Sequence, residues 1–218
     1  MFQPDAKSPL ICVIDDDIGV RGSLDSLLRA SGYCVQTFDG PEQFLASTDT
    51  DSAACLLLDI RLEGANGLDF QQSLADSDTH VPVILITGHG DIPMSVRGMK
   101  AGAVSFLSKP FDEDMLLDAV SEAVERDRVR RAAAREGEDV RARYDGLTPR
   151  EREVMALVTA GLMNKQVAGR LELSEITVKI HRGNMMRKMS AQSLADLVLM
   201  AETLGVRDVS VARYGIAG

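Results

Sequence analysis

The chain has 218 residues, 45% hydrophobic and 26% charged, with 18 Gly, 7 Pro and no Trp, which suits one large or two small domains and excludes a collagen-like or low-complexity protein. No run of about 18 apolar residues is present, so no membrane-spanning helix is expected, and the opening MFQPDAKSPL lacks the apolar region of a secretory signal. The net charge of −9 is uneven: residues 1–120 carry 7 basic and 19 acidic side chains, 121–146 carry 7 of each, and 147–218 carry 10 and 7. An acidic front suits cation or phosphate chemistry, and a weakly basic back suits an anionic partner.

In chain order, residues 10–14 (LICVI) form a short apolar run, and Val20, Leu24, Leu27 and Leu28 follow at helical spacing. Further strands are expected at 34–38, 53–58, 81–87 and 103–107, with helices at about 41–48, 67–77, 91–101 and 112–125. In the last of these helices Leu116, Ala119, Val120 and Ala123 share a face. Strands alternating with helices predict an α/β fold, a doubly wound, five-stranded parallel sheet buried on both faces. The cysteines, Cys12, Cys34 and Cys55, lie in or beside apolar stretches and read as reduced interior thiols of a cytoplasmic protein.

In such a sheet, functional groups gather beyond the carboxyl ends of the strands. There the chain places Asp15, Asp16 and Asp17 after the first strand and Asp59 after the third. Thr87 follows the fourth, and Lys109 with Pro110 follows the fifth. Three crowded carboxylates call for a cation, and Mg2+ suits a site of few carboxylates and several waters. An Asp carboxylate can accept a phosphoryl group, Lys109 can add a point charge to it, and Thr87 can hydrogen-bond it. Asp17 reads separately, as an acid favouring the N-terminus of the first helix.

Residues 121–144 are rich in Ala, Arg and Glu and contain no Pro. Their apolar positions, Val124, Val129, Val140 and Tyr144, are too sparse for a continuous buried stripe. They read as a solvated helical linker, with Gly137 as the place for a break. The expected division is 1–124, a linker at 125–146, and a second domain at 147–218.

The second domain is expected to be all-α, with four helices. Thr148 caps a helix with Pro149 first and Glu151 completing a capping box, and Gly161 stops it. Asn164 is expected to cap the next helix, Glu172-Leu173-Ser174 makes a three-residue turn, and Ser174 caps a longer helix. That is the spacing of a helix-turn-helix. At about 100° per residue, Val178, Met185 and Met189 point inward. Ile180, Gly183 and Arg187 face out, with Lys179 on the flank. From Ile176 to Ser190 there are four Lys or Arg and no acid, a face suited to DNA phosphates.

These residues resemble the two-component response regulators. VIDDD (13–17), LLLDIRLEGANGLDF (56–70), VILITGHGDIPMSV (83–96) and AGAVSFLSKPF (101–111) resemble a flavodoxin-like receiver domain. LTPREREV (147–154), AGLMNKQVAGRLELSEITVKIHRGNMMRKM (160–189) and SLADLV (193–198) resemble the DNA-binding domain of LuxR and FixJ type regulators. The resemblance implies Asp59 as phospho-acceptor. It implies an Mg2+ ion held by Asp15, Asp16, Asp59 and the Arg61 backbone carbonyl, with Thr87 and Phe106 as switch residues, Lys109 on the phosphate and a cis Lys109–Pro110 bond. Arg61 and His89 would tune autodephosphorylation. The family commonly has Pro four residues after the acceptor, where this chain has Glu63, while Gly67 keeps its matching place.

In the second domain the resemblance sets Lys179, Ile180 and Gly183 toward base edges and Thr177 and Arg182 near phosphates. Gly183 has no side chain to read a base, and Arg187 joins the outward DNA-facing set. The helix at about 193–204 corresponds to the family's dimerising helix. The function implied is a regulator phosphorylated by a sensor histidine kinase, which then dimerises through the surface around helix 91–101 and binds double-stranded promoter DNA. RNA polymerase is a further candidate partner. No enzymatic turnover is implied beyond self-phosphorylation and autodephosphorylation at Asp59. Two other readings stay open: a phosphatase or phosphotransferase, and a phosphorylation-independent DNA-binding regulator with a structural receiver.

Overall fold

A computed structural model describes residues 8–47, 52–77, 79–88 and 92–207. The chain divides into two compact units, residues 1–131 and 132–218.

The first unit is the expected α/β fold. Its strands β1 (Leu10–Ile14), β2 (Cys34–Phe38), β3 (Ala53–Asp59), β6 (Val83–Thr87) and β7 (Ser105–Ser108) form one parallel sheet in the order β2-β1-β3-β6-β7. Between them run α1 (Ile18–Ala30), α2 (Pro41–Leu45), α3 (Gly67–Ala75) and α4 (Ile92–Lys100). All seven residues of the central β3 are buried, as its apolar run demands of a strand covered on both faces.

Alternate side chains of each strand point to opposite faces, so the sheet sorts its residues into two cores. Ile11, Val13, Leu57, Ile84 and Ile86 pack with Leu24 and Leu28 of α1 and Leu116, Val120 and Ala123 of α5 (Glu113–Asp145). Cys12, Ile14, Leu56, Leu58 and Leu85 pack with Phe44 of α2 and Leu68, Phe70 and Leu74 of α3. On that second face α4 lies so close that a Cβ on Gly98 would stand 2.2 Å from Leu85 Cδ1. Cys12 and Cys55 are buried thiols and Cys34 is half-buried, with no disulfide among the described residues.

Three features depart from the expected pattern. A short antiparallel hairpin, β4 (Arg61–Leu62) and β5 (Ala65–Asn66), fills the loop between β3 and α3. The helix expected at 112–125 and the helical linker expected after it are one helix of 33 residues ending at Asp145, with no break at Gly137. Pairs Glu122–Arg126 and Glu125–Arg128 stud its surface at helical spacing and, with Asp127–Arg130, support it where apolar residues are few. Asp127 is also buried, and its partner Arg131 donates to the Ala53 carbonyl at 3.0 Å, tying this stretch to the start of β3.

The second unit contains α6 (Pro149–Thr159), α7 (Asn164–Leu171), α8 (Glu175–Met189) and α9 (Leu194–Thr203). They close over Val154, Met155, Val158, Val167, Val178, Met185, Met189 and Leu197, joined by Val140 from the end of α5. No helix among the described residues is long and apolar enough to cross a membrane.

Candidate functional site

The parallel sheet delivers its polar side chains to one end. Asp15 follows β1, Asp59 is the last residue of β3, Thr87 is the last residue of β6, and Lys109 follows β7. Asp15, Asp16 and Asp59 each offer a carboxylate oxygen, all within 4.8 Å of one another. Lys109 Nζ lies 2.6 Å from Asp15 Oδ2 and 3.5 Å from Asp59 Oδ1. The Lys109–Pro110 bond is cis, and the Lys109 N–H donates to the Thr87 carbonyl at 2.7 Å. The sequence-level cluster is therefore one physical cluster.

Its members are held differently. Asp15 is 2% exposed, and its Oδ1 accepts the Asp17 N–H at 2.9 Å while its carbonyl accepts Arg21 Nη1 at 2.6 Å. Asp17 caps α1 by accepting the Gly19 and Val20 N–H groups, as expected, and those bonds hold its carboxyl below the ordinary carboxylate value. Asp16 is exposed and accepts the Glu63 N–H at 3.0 Å. Asp59 is 6% exposed. Burial pushes its carboxyl up to about 6; Lys109 opposes the shift, and Asp15 adds to it.

Asp59 Oδ1 is buried and makes no well-formed hydrogen bond, its cationic neighbour Lys109 standing 3.5 Å away. Together with two neighbouring carboxylates it makes a set that suits a hard divalent cation with oxygen ligands. Arg61, two residues beyond Asp59, is exposed and starts the hairpin. Thr87 is fully buried, and Phe106 is half-buried on β7 against the second core. His89 lies outside the described residues.

The loop after Asp59 is fixed by a close approach. A Cβ on Gly67 would stand 2.2 Å from the Asp59 carbonyl oxygen and 2.9 Å from Ile60 Cα. No side chain fits there, so the start of α3 rests directly on the acidic residue's backbone.

In the second unit the capping box at Thr148 and Glu151 forms as expected, with bonds of 2.8 and 3.3 Å. Glu151 does a second task that spacing did not reveal: its Oε2 accepts Lys188 Nζ at 2.7 Å and so ties the start of α6 to the end of α8. Burial pushes the Glu151 carboxyl up, but the Lys188 and Thr148 hydrogen bonds outweigh it and hold it below its ordinary value. The expected cap of α7 needs correction. Asn164 is already helical, the cap is Met163, and the Met163 N–H donates to Gln166 Oε1 at 2.9 Å. Asn164 Oδ1 instead accepts Arg182 Nη1 at 3.0 Å, bracing α7 against α8.

The turn between those helices is as short as expected: α7 ends at Leu171, Glu172 takes φ +56, and Ser174 caps α8 by accepting the Thr177 N–H. Val178, Met185 and Met189 are fully buried. Lys179, Ile180, Gly183 and Arg187 are exposed, and Thr177 and Arg182 are half-buried. Arg187 also donates to Asn184 at 2.8 Å. One face of α8 is thus core and the other a basic surface.

Residues 11–121 match the response regulator receiver domain, and residues 145–201 match the bacterial regulatory proteins of the luxR family. Nodulation protein W of Bradyrhizobium diazoefficiens is 55% identical over 197 residues, spanning 90% of this chain and 87% of that one. The transcriptional regulatory protein FixJ of Rhizobium meliloti is 41% identical over 189 residues, spanning 87% and 93%. Among solved structures, the response regulator StyR matches with a TM-score of 0.80 at 44% identity, covering 89% of this chain and 98% of that one.

Proposed function

The chain belongs to the two-component response regulators, with a receiver domain followed by a LuxR-type DNA-binding domain, and from that membership we propose that Asp59 is its phospho-acceptor and that phosphorylation governs its binding to promoter DNA. The observation that carries this reading is the convergence of Asp15, Asp16 and Lys109 on the buried Asp59 carboxylate.

The donor is the phosphohistidine of a sensor histidine kinase. With its carboxyl at about 6, Asp59 is mostly ionised at pH 7 and poorly solvated, which favours it as a nucleophile. Its oxygen forms a bond to phosphorus as the phosphorus–nitrogen bond of the donor breaks, and the electron pair leaves with the histidine nitrogen. Asp15, Asp16, Asp59 and the Arg61 carbonyl hold Mg2+, which when bound supplies neutralising charge to the phosphoryl oxygens. Lys109, already 3.5 Å from Asp59, pairs with the new phosphate.

Phosphorylation replaces one carboxylate charge by a phosphoryl group of about 1.5 to 2 negative charges at the strand ends, a net gain of about one. Thr87 hydrogen-bonds the phosphoryl group, Phe106 repacks, and the surface around α4 changes so that two chains dimerise. Pairing makes the second DNA contact intramolecular and multiplies affinity. Lys179 and Ile180 of α8 face base edges, with Gly183 between them, and Thr177, Arg182 and Arg187 lie along the backbone. The protein acts in the cytoplasm and turns over no external substrate.

The test is footprinting on genomic fragments, with sedimentation, before and after acetyl phosphate treatment. Tighter operator binding and a dimer after treatment, both abolished by Asp59→Asn, support the reading. Equal affinity and equal oligomeric state in both conditions favour the phosphorylation-independent regulator instead.

A further inference from the structure

Two large apolar side chains of the second unit stand in solvent one turn apart on α8: Ile176 is 72% exposed and Ile180 58%. At about 100° per residue, Ile176, Ile180, Gly183 and Arg187 lie within a sector of about 60°, opposite the buried Val178, Met185 and Met189. The outermost ridge of the helix is therefore apolar at its N-terminal end. Its surroundings are basic: Lys179 is exposed on one flank and Arg187 continues the ridge, while Glu175, the acid of the first turn, lies about 100° off it. A Cβ on Gly183 would meet nothing within 4 Å, so no packing within the chain calls for glycine there, and no side chain at that point holds the two isoleucines off a partner surface. Ile176 is the second residue of α8, and the first residues of the second helix are those that a helix-turn-helix brings to base edges.

We propose that Ile176 is a specificity residue that, with Ile180, reads the 5-methyl groups of thymines in the major groove. This rests on the reading of α8 as the DNA-contacting helix. An apolar ridge set among Lys and Arg fits a surface that is anionic at its rim and apolar in places on its floor. The major groove is such a surface: phosphates line its edges, and thymine alone among the bases puts a methyl group on its floor. An isoleucine side chain has no hydrogen-bond donor or acceptor, so what it gains from a base edge is contact with that methyl group. Side chains at i and i+4 stand about 6 Å apart, or about two steps of 3.4 Å along a strand, which sets the two thymines within about two base pairs of each other. Burying one methyl group contributes about fourfold in affinity.

The test removes the methyl group from thymine. The full chain, treated with acetyl phosphate, selects duplexes from a pool with a randomised core. Each thymine of the selected site is then replaced in turn by deoxyuridine, which keeps the base pair and lacks only the methyl group. In each half-site, replacement of the thymines that face Ile176 and Ile180 is expected to weaken binding about fourfold each. Ile176→Ala should lose at least as much on the unmodified duplex and should no longer respond to one of those replacements. It should keep the salt dependence of the unaltered chain, since no phosphate contact is removed. The proposal is overturned if every deoxyuridine duplex binds within about twofold of its thymine parent, or if Ile176→Ala responds to the replacements as the unaltered chain does. It is overturned equally if Ile176→Ala changes only the oligomeric state, which would make the ridge a contact between copies of the chain. The deoxyuridine series on the unaltered chain decides the matter if the Ala variant fails to fold. A chain that selects no sequence removes the DNA reading and this inference with it, a result distinct from selective binding that ignores the methyl groups.

Discussion

Replacing Asp59 by Asn should stabilise the metal-free receiver at neutral pH. Burial raises the Asp59 carboxyl from 3.8 in the unfolded chain to about 6 in the folded one. Between those values the folded state holds the extra proton, so stability falls as pH rises from about 4 to about 6. Two pKa units correspond to about 3 kcal/mol at full strength. Relaxation of solvent and of Lys109 around the site brings the expected gain for Asp59→Asn to about 1–2 kcal/mol at pH 7.5. At pH 4 the gain should vanish, because Asp59 is then protonated and resembles Asn. The assay is hydrogen exchange of the buried β3 amides in urea with chelator, which reports the receiver separately from the second domain. A gain that is absent at pH 7.5, or one equally large at pH 4, would show that the ionised carboxylate carries no desolvation cost.

Gly67→Ala should destabilise the receiver by about 1–3 kcal/mol and slow phosphoryl uptake, since its Cβ meets the Asp59 carbonyl at 2.2 Å; thermal melts and acetyl phosphate kinetics check both effects. Glu151→Ala should cost the second domain about 1–2 kcal/mol through the lost capping box and the freed Lys188. Because the Glu151 carboxyl is depressed on folding, its contribution is present at neutral pH and declines below about 4.5, which urea titrations across pH will show. Arg182→Ala should weaken DNA binding alike across sequences and lower the salt dependence by about one unit of slope. Lys179→Ala should instead relax sequence preference by about 1–3 kcal/mol, and competition binding at two salt concentrations separates the two effects.

The strands and the site were legible because each rests on local chemistry. LICVI and AACLLLD are apolar runs that a doubly covered sheet explains, and the polar residues that end them must lie together once the strands are parallel. The β4–β5 hairpin was not legible, since two-residue strands carry no periodicity, although Glu63-Gly64 between short segments was a turn signal. The helical character of 121–144 was legible from its composition, but its continuity through Gly137 was not, because what carries it is salt bridges and the Arg131 bond to Ala53. In the second domain, Thr148-Pro149-Arg150-Glu151 announced its capping box, whereas Asn164 proved to be a brace for Arg182. The contacts Glu63–Asp16, Glu151–Lys188 and Asn164–Arg182 link distant residues, and nothing in one segment announces such a partner.

The central claim is that one carboxylate receives the phosphoryl group. Treatment with acetyl phosphate and Mg2+ followed by borohydride, which reduces an acyl phosphate to an alcohol, marks the acceptor for peptide mass spectrometry. Homoserine at position 59, and at no other acidic residue, is the expected outcome. A chain that stays unmodified, or that carries the mark at Asp15, Asp16 or elsewhere with Asp59 intact, contradicts it.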